Sequence, residues 1–274
     1  MKKTVIFLGY TVLIFIAISM LFPFFAMVNL AFTQESDIFK NVGVLFHTNL
    51  TFDNFIHIFQ EIPLTKYFLN SMLVALLTTI GQVLISAFAG YSFARLNFKH
   101  KEFWFLVVLI TMMVPPQVNI IPLFFVMREL HLVDTYTALI LPGLFGGFGV
   151  FLMRQFFLSL PKDLEEAARI DGCNLFKTFF NIALPIATPA VATLTIFTFV
   201  TTWNSFMWPL IVTNSESMRT LPVGLAIFKG SFREVIMWGD LLACSVVCTI
   251  PVVIIFLLGK KYFLSDLLSG AVKE

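Results

Sequence analysis

Charged positions along this chain are gathered into islands. Between them lie six stretches without Asp, Glu, Lys, Arg or His: residues 4–34, 67–94, 103–127, 135–153, 178–215 and 241–259. A helix rises about 1.5 Å per residue, so crossing about 30 Å of hydrocarbon takes about 20 residues, and each stretch is close to that length or above it. The pattern predicts six membrane-spanning helices. The stretch 178–215 is long enough to raise the question of a hairpin, but residues 190–208, AVATLTIFTFVTTWNSFMW, hold neither Gly nor Pro to turn one. It is read as one helix with its surplus at the ends, near Pro185, Pro189 and Pro209. The first stretch follows Lys2-Lys3, as the core of a secretory leader would. Its apolar length is about twice the roughly 7–15 residues of such a core, and no small-x-small cleavage site follows, so an uncleaved first span is expected.

Basic residues in the flanks orient the spans. With the N-terminus inside, twelve Lys and Arg fall on the inner side, among them Lys2, Lys3, Arg95, Lys101, Arg154, Lys162, Lys260 and Lys261. Six fall outside: Lys40, Lys66, Arg128, Arg219, Lys229 and Arg233. The bias of Lys and Arg toward the cytoplasm then predicts a multi-pass plasma-membrane protein with both termini cytoplasmic.

Composition agrees, with 58% hydrophobic and 12% charged residues, about half the charged share of a soluble domain. A net charge of +2 gives no reason to expect nucleic acid as a partner. Cys173, Cys244 and Cys248 have no His or Cys neighbours at metal-ligand spacing, so they read as small packing residues and no metal site is expected.

The absence of ionisable groups from the six stretches bears on function. Proton- and sodium-coupled carriers commonly keep such a group at membrane depth to carry the coupling ion, and a membrane-embedded enzyme would need His, Cys or carboxylate groups there. Both classes are disfavoured. No G-x-x-x-x-G-K-[ST] loop occurs either; the glycines of PGLFGGFG, residues 142–149, read as sites of close helix contact or bending. Energy for active transport would have to come from a partner, which turns attention to the cytoplasmic loops.

The loop of about residues 154–181 holds the sequence PKDLEEAARIDG. Leu164, Ala167 and Ala168 recur at i, i+3 and i+4, with Lys162, Asp163, Glu165, Glu166 and Arg169 on the rest of the wheel. A short amphipathic helix is predicted over Pro161 to Asp171, with Pro161 in its first turn, acidic residues near its start and Gly172 ending it in a left-handed conformation. Asn174 is placed to cap a second helix leading into the fifth span. A helix lying on the lipid surface would favour a basic polar face, whereas this one mixes both signs. Its small alanines suit close docking against a soluble protein.

Glu166-Ala167-Ala168, then Gly172, then Ile182-x-Leu184-Pro185 resembles, in content and spacing, the EAA loop of ATP-binding-cassette importer permeases. Further stretches resemble the second permease subunit of carbohydrate importers, the maltose permease-like group: Asn70-Ser71, AGYSFARLNFKHK closing the second span, MMVPPQVNIIPLF in the third, WNSFMWPLIVT ending the fifth and the tail GAVKE. The likeness covers about residues 67–274. Cys173 stands where these permeases usually have Ala, and Glu274 where the tail often ends in Gly.

This resemblance implies an all-α integral membrane protein of six helices with the type I importer permease fold. It would comprise a first helix and outer loop at 1–66, a permease core at 67–260 and a cytoplasmic tail at 261–274. The chain would be a non-catalytic half of a sugar pathway, binding no cofactor itself. Its implied partners are a second permease subunit, two ATPase subunits that use ATP and Mg, and an extracytoplasmic solute-binding protein, in a lipid membrane. Coupling to the ATPases is carried over to Glu165, Glu166, Ala167, Ala168, Asp171, Gly172, Leu184 and Pro185, and tail contacts to Gly270, Ala271, Val272 and Lys273. Along the fifth span Thr198, Thr202, Trp203 and Asn204 offer groups that hydrogen-bond or stack on sugars, and are the expected lining of the pathway. Glycerol phosphate, amino acids or peptides are the alternative cargoes of such a machine.

Overall fold

A computed structural model of the chain describes residues 2–38, 48–231 and 237–271. Its elements follow in order. Helix α1 runs Lys2–Ala31, α2 Glu35–Ile38, α3 Asp53–Glu61, α4 Leu64–Arg95, α5 Lys101–Met113, α6 Pro116–Glu129, α7 Tyr136–Ile140 with a 3-10 turn at Leu141–Leu144, and α8 Gly147–Ser159. Then come α9 Asp163–Ile170, α10 Leu175–Thr178, a π turn at Phe179–Ala183, α11 Leu184–Ile186, α12 Thr188–Trp203, α13 Met207–Val212, α14 Leu221–Ser231 and α15 Trp238–Ala271. Among the described residues there is no β-strand, only an isolated bridge between Thr33 and Leu50.

Four helical stretches are long and apolar enough to cross a membrane: 6–31, 64–95, 136–159 and 238–262. Two bent pairs complete the set of six when each is counted as one span, α5 with α6 at 101° and the segment 175–186 with α12 at 76°. The third and fifth spans are therefore broken where an unbroken helix was expected. In the third, Val114 (φ −87°, ψ 118°) and Pro115 (φ −58°, ψ 130°) are both extended. Each precedes a proline, and the proline ring clashes with a helical conformation at the residue before it.

In the fifth, Pro185 lies in the last turn of the helical segment 175–186, where it has no N–H to give and its ring crowds the carbonyl four residues back. The chain widens there into the π turn, in which the Leu184 N–H reaches back to the Phe179 carbonyl. The axis then breaks at Ala187 (φ −77°, ψ 7°). The last helix, α15, continues past Lys260 and Lys261 to Ala271, so the helix runs on beyond the apolar stretch 238–262. Val272 and Lys273 lie outside the described residues.

The chain divides into two compact units, residues 1–66 with 221–251, and residues 67–220 with 252–274. One division falls after Lys66, and residues 221–251 group with the first unit. In that unit Asn54 Nδ2 donates to the carbonyls of Ala31 and Thr33, both at 2.8 Å. The Glu35 carboxylate caps the start of α15 by accepting the N–H groups of Trp238 (2.9 Å) and Gly239 (2.7 Å). In the same first turn, buried Asp240 pairs with His57 Nδ1 at 2.6 Å.

In the second unit the core is built from Val83, Ala87 and Tyr91 of α4, Met153 and Phe157 of α8, Phe179 and Ala183 of the π turn, and Ala190 and Leu194 of α12. The Tyr91 ring meets Phe157 edge-on at 5.4 Å and Phe179 at 5.2 Å. Lipid tails are as apolar as these side chains, so close packing rather than exclusion of water stabilises such a core. The glycines of 142–149 serve it as expected. A Cβ on Gly147 would lie 2.8 Å from Met112 Cγ, and one on Gly149 would lie 2.4 Å from Ser86 Oγ.

Candidate functional site

The predicted amphipathic helix is present as α9, Asp163–Ile170, starting two residues later than expected, with Pro161 ahead of it. The Lys162 carbonyl accepts the first helical N–H groups, those of Glu165 (2.9 Å) and Glu166 (3.2 Å). Its end matches the sequence reading. Gly172 has φ +79°, and the Cys173 N–H returns to the Ala168 carbonyl at 2.9 Å, the long bond of a Schellman turn. Asn174 then caps α10, its Oδ1 accepting the Lys177 N–H at 2.9 Å.

The faces of α9 are rotated from the expected ones. Ala168, only 3% exposed, and Glu165, with 15% of its side chain exposed, face the chain's own interior, whereas Leu164, Glu166 and Ala167 face out. Ile170 is 86% exposed and extends that outer face. The reason lies in Arg95 at the end of α4. Its Nε stands 2.9 Å from Glu165 Oε1, and its Nη2 donates to the Leu160 carbonyl at 2.6 Å. An arginine with 5% of its side chain exposed needs a carboxylate partner, so Glu165 turns inward and carries Ala168, one turn on, with it.

Beside this pair a polar recess of about 480 Å³ is lined by Arg95, Asn97, Lys101, Lys162, Glu165 and Glu166. A more apolar cleft of about 510 Å³ lies along Tyr91, Cys173, Leu175 and Phe176. Asp171 is exposed. Leu184 packs partly against the core, and Pro185 is exposed at the π turn that its own ring requires. Gly270 and Ala271 close α15. Arg154 fixes the neighbouring helices, with its guanidinium 3.9 Å over the Phe105 ring and Nη2 at 3.3 Å from both carboxylate oxygens of Glu102. Sequence reasoning missed Arg95 and Ile170. Arg95 could have been found as the one charge that closes the uncharged run 67–94.

The four pathway residues do not form one surface. Trp203 is 2% exposed and stacks on Phe199 (5.8 Å, 12°), with Phe68 edge-on at 5.5 Å. Thr198 is buried too. Thr202 is half-buried, and Asn204 is exposed just past the end of α12, its Nδ2 donating to the Val200 carbonyl at 2.9 Å.

Comparison with known proteins places this geometry. Residues 82–267 match the family described as binding-protein-dependent transport system inner membrane component. The chain is 39% identical to the arabinooligosaccharides transport system permease protein AraQ of Halalkalibacterium halodurans over 97% of its own length and 95% of that protein's. It is 35% identical to the trehalose/maltose transport system permease protein MalG of Thermococcus litoralis, over 100% of its own length and 98% of that protein's. In three dimensions it resembles a chain of a bacterial ABC transporter that imports the acidic polysaccharide alginate, with a TM-score of 0.83 at 22% identity, covering 96% of this chain and 97% of that one. The chain, a multi-pass membrane protein with the α9 turn at its charged end, thus belongs to the family of inner-membrane components of binding-protein-dependent transport systems.

Proposed function

We propose that the chain is one permease subunit of an ATP-driven sugar importer, and that α9 is the helix through which it couples to the ATPases. The observation that carries this reading is the outer face of α9. Leu164, Glu166, Ala167 and Ile170 project from it while Glu165 and Ala168 hold the helix to its own chain. That face combines apolar area, one small residue and a carboxylate, which suits docking against a soluble protein better than lying in lipid. Full-length likeness to permeases named for arabinooligosaccharides and for trehalose and maltose supports a carbohydrate as cargo.

In this reading the chain itself binds no cofactor, and ATP and Mg are used by two partner ATPase subunits. A second permease subunit completes the pathway, and an extracytoplasmic binding protein delivers the solute. Glu166, Ala167, Asp171 and Gly172 form the coupling surface and its turn. Leu184 and Pro185 set the π turn behind it, and the α15 end at Gly270 and Ala271, with Val272 and Lys273 beyond, approaches the ATPases. Among the pathway residues, exposure favours Asn204 and Thr202 over Trp203 and Thr198.

The test is to purify the assembled transporter carrying Glu166→Lys. A charge reversal on the docking face releases the ATPase or abolishes stimulation of its hydrolysis by the binding protein, at a cost of about 2–5 kcal/mol if Glu166 is desolvated in the complex. Wild-type attachment and stimulation would remove α9 from the coupling role.

A further inference from the structure

Between α8 and α9 the chain has only the three-residue link Leu160, Pro161 and Lys162. Such a link would be free to bend, were it not bridged by Arg95. Nη2 of its guanidinium donates a hydrogen bond to the Leu160 carbonyl at the near end (2.6 Å), and Nε forms an ion pair, without hydrogen-bond alignment, with the Glu165 carboxylate just past the far end (2.9 Å). Arg95 is the last residue of the 32-residue helix α4. We propose that Arg95 is a positioning strut, through which displacement of α9 is delivered to α4 as movement of one rigid body. This rests on the reading of α9 as the coupling helix.

The chemistry favours a strut over an incidental surface pair. Both side chains are largely buried, so breaking the pair leaves an uncompensated charge rather than two solvated ones. The guanidinium fork can engage a carboxylate and a carbonyl at once, in fixed relative directions, where a lysine ammonium is a single point with a flexible stem. The neighbouring charges, Lys101, Lys162 and Glu166, line the open recess and leave the pair itself in place. Lys101 Nζ is taken up by the Leu96 carbonyl at 3.1 Å.

On its other side α9 continues through the open Gly172 turn, the one-turn α10 and the π turn to the break at Ala187. That route offers several places to bend. The Arg95 route is more direct, because a hydrogen bond to Leu160 and an ion pair with Glu165 span the joint. α8 is held to α4 as well, by Arg154 Nε donating to the Phe93 carbonyl at 3.4 Å, so α4, the end of α8 and α9 move together.

The experiment uses the whole transporter with its partner subunits in proteoliposomes, carrying Arg95→Gln, Arg95→Lys or Glu165→Gln. It reads ATPase retained on purification, ATP hydrolysis stimulated by the binding protein, and solute taken up per ATP. Spin labels at Ser92→Cys and Asp163→Cys, in a background with Cys173, Cys244 and Cys248 replaced by Ala, report the distance between α4 and α9 in the nucleotide-free and vanadate-trapped states. In the parent protein that distance is the same in both states. Arg95→Gln keeps the ATPase and its hydrolysis but lowers uptake per ATP, because breaking the buried pair loosens α9 from α4. The same variant broadens the distance distribution, Arg95→Lys is intermediate, and Glu165→Gln shows the same defect if Arg95→Gln fails to insert.

Wild-type uptake per ATP with an unbroadened distance overturns the strut. So does a parent distance that changes between states, or loss of the ATPase from Arg95→Gln, which would make Arg95 a support for docking alone. Failure of the coupling-helix reading itself is seen separately, as an unaffected Glu166→Lys.

Discussion

Tyr136 donates its hydroxyl to Asn70 Oδ1 at 2.7 Å, and this bond fixes which way the Asn70 amide faces. With its oxygen occupied, Asn70 turns Nδ2 toward the turn after α13, donating to the carbonyls of Ser217 (2.9 Å) and Arg219 (2.8 Å). A single side chain, 3% exposed, thus satisfies two carbonyls of a loop that has no strand or long helix to satisfy them. Asn70→Asp puts an acceptor where both carbonyls need a donor. The expected result is a loss of about 2–4 kcal/mol of stability in detergent, with Asn70→Ala costing about half as much and Tyr136→Phe about 1 kcal/mol. Thermal unfolding of the purified variants checks the order; equal losses for Asp and Ala would mean that the amide orientation is irrelevant.

The same turn has a second anchor, sensitive to acid. Asp134 Oδ1 accepts the N–H groups of Asn214 (2.9 Å) and Ser215 (3.0 Å). Partial burial pushes the Asp134 carboxyl up, but these backbone donors outweigh it and hold the carboxyl below its ordinary value of 3.8. A depressed folded value means that the carboxylate contributes stability that is complete above pH 3.8 and is lost as pH falls through the lower folded value. Asp134→Asn therefore lowers the melting temperature at pH 7, and its difference from the parent shrinks as pH falls below 3.8. A constant difference from pH 7 down to pH 3 would refute a role for the charge.

Six uncharged stretches were enough to place the spans, and PKDLEEAARIDG to place α9, its Gly172 end and the Asn174 cap, because those features depend on local chemistry. The breaks at Val114 and Ala187 were harder. Pro115, Pro116 and Pro185 were visible, but whether a proline ends a helix, kinks it or widens one turn depends on what packs around it. The orientation of α9 was illegible for a different reason. Its apolar pattern placed Leu164 and Ala168 on one face, and only Arg95, seventy residues away from Glu165 in sequence, turns Glu165 inward and Leu164 out. His57 and Asp240 illustrate the same limit, since their 2.6 Å pair joins positions 183 residues apart.

Trp203 and Asn204 are adjacent but have different surroundings, and substitution separates them. Trp203 fills a buried site between Phe199 and Phe68, so Trp203→Ala costs about 3–5 kcal/mol and reduces the amount of folded protein in the membrane. Trp203→Phe keeps a ring there and retains most of both amount and uptake. Asn204→Ala removes only the bond to the Val200 carbonyl, a loss of about 1 kcal/mol, yet lowers uptake per folded transporter if Asn204 faces the pathway. Unchanged uptake in Asn204→Ala would take this residue out of the pathway.

The orientation expected from the flanking charges is checked by reporter fusions. Fusions after Lys101, Lys162 and Lys261 read cytoplasmic, and those after Asp53, His131 and Ser217 read external. The fusion after Lys261 bears most weight, since α15 carries the chain straight through that position. An external reading there would reverse the last span.

Gly172 permits the most direct test of the proposed coupling turn, because a side chain there has room and only the backbone objects. A Cβ on Gly172 meets nothing within 4 Å, yet its φ of +79° is one that L-residues with a Cβ rarely adopt. Any loss on substitution therefore comes from the left-handed conformation itself, about 1–2 kcal/mol for Ala and less for Asn, whose side chain bonds locally and tolerates that region. A penalty of this size does not unfold a membrane protein. It does let the turn relax, shifting the Cys173 N–H away from the Ala168 carbonyl and changing the angle at which α9 enters α10. The expected order of solute uptake is Gly172, then Gly172→Asn, then Gly172→Ala, then Gly172→Val, whose branched Cβ suffers most at positive φ. ATPase attachment persists throughout, since the outer face of α9 is unchanged. Measuring uptake and attached ATPase on the four proteins decides the matter: uptake that follows side-chain volume with Asn no better than Ala would mean that space, not backbone conformation, limits the turn.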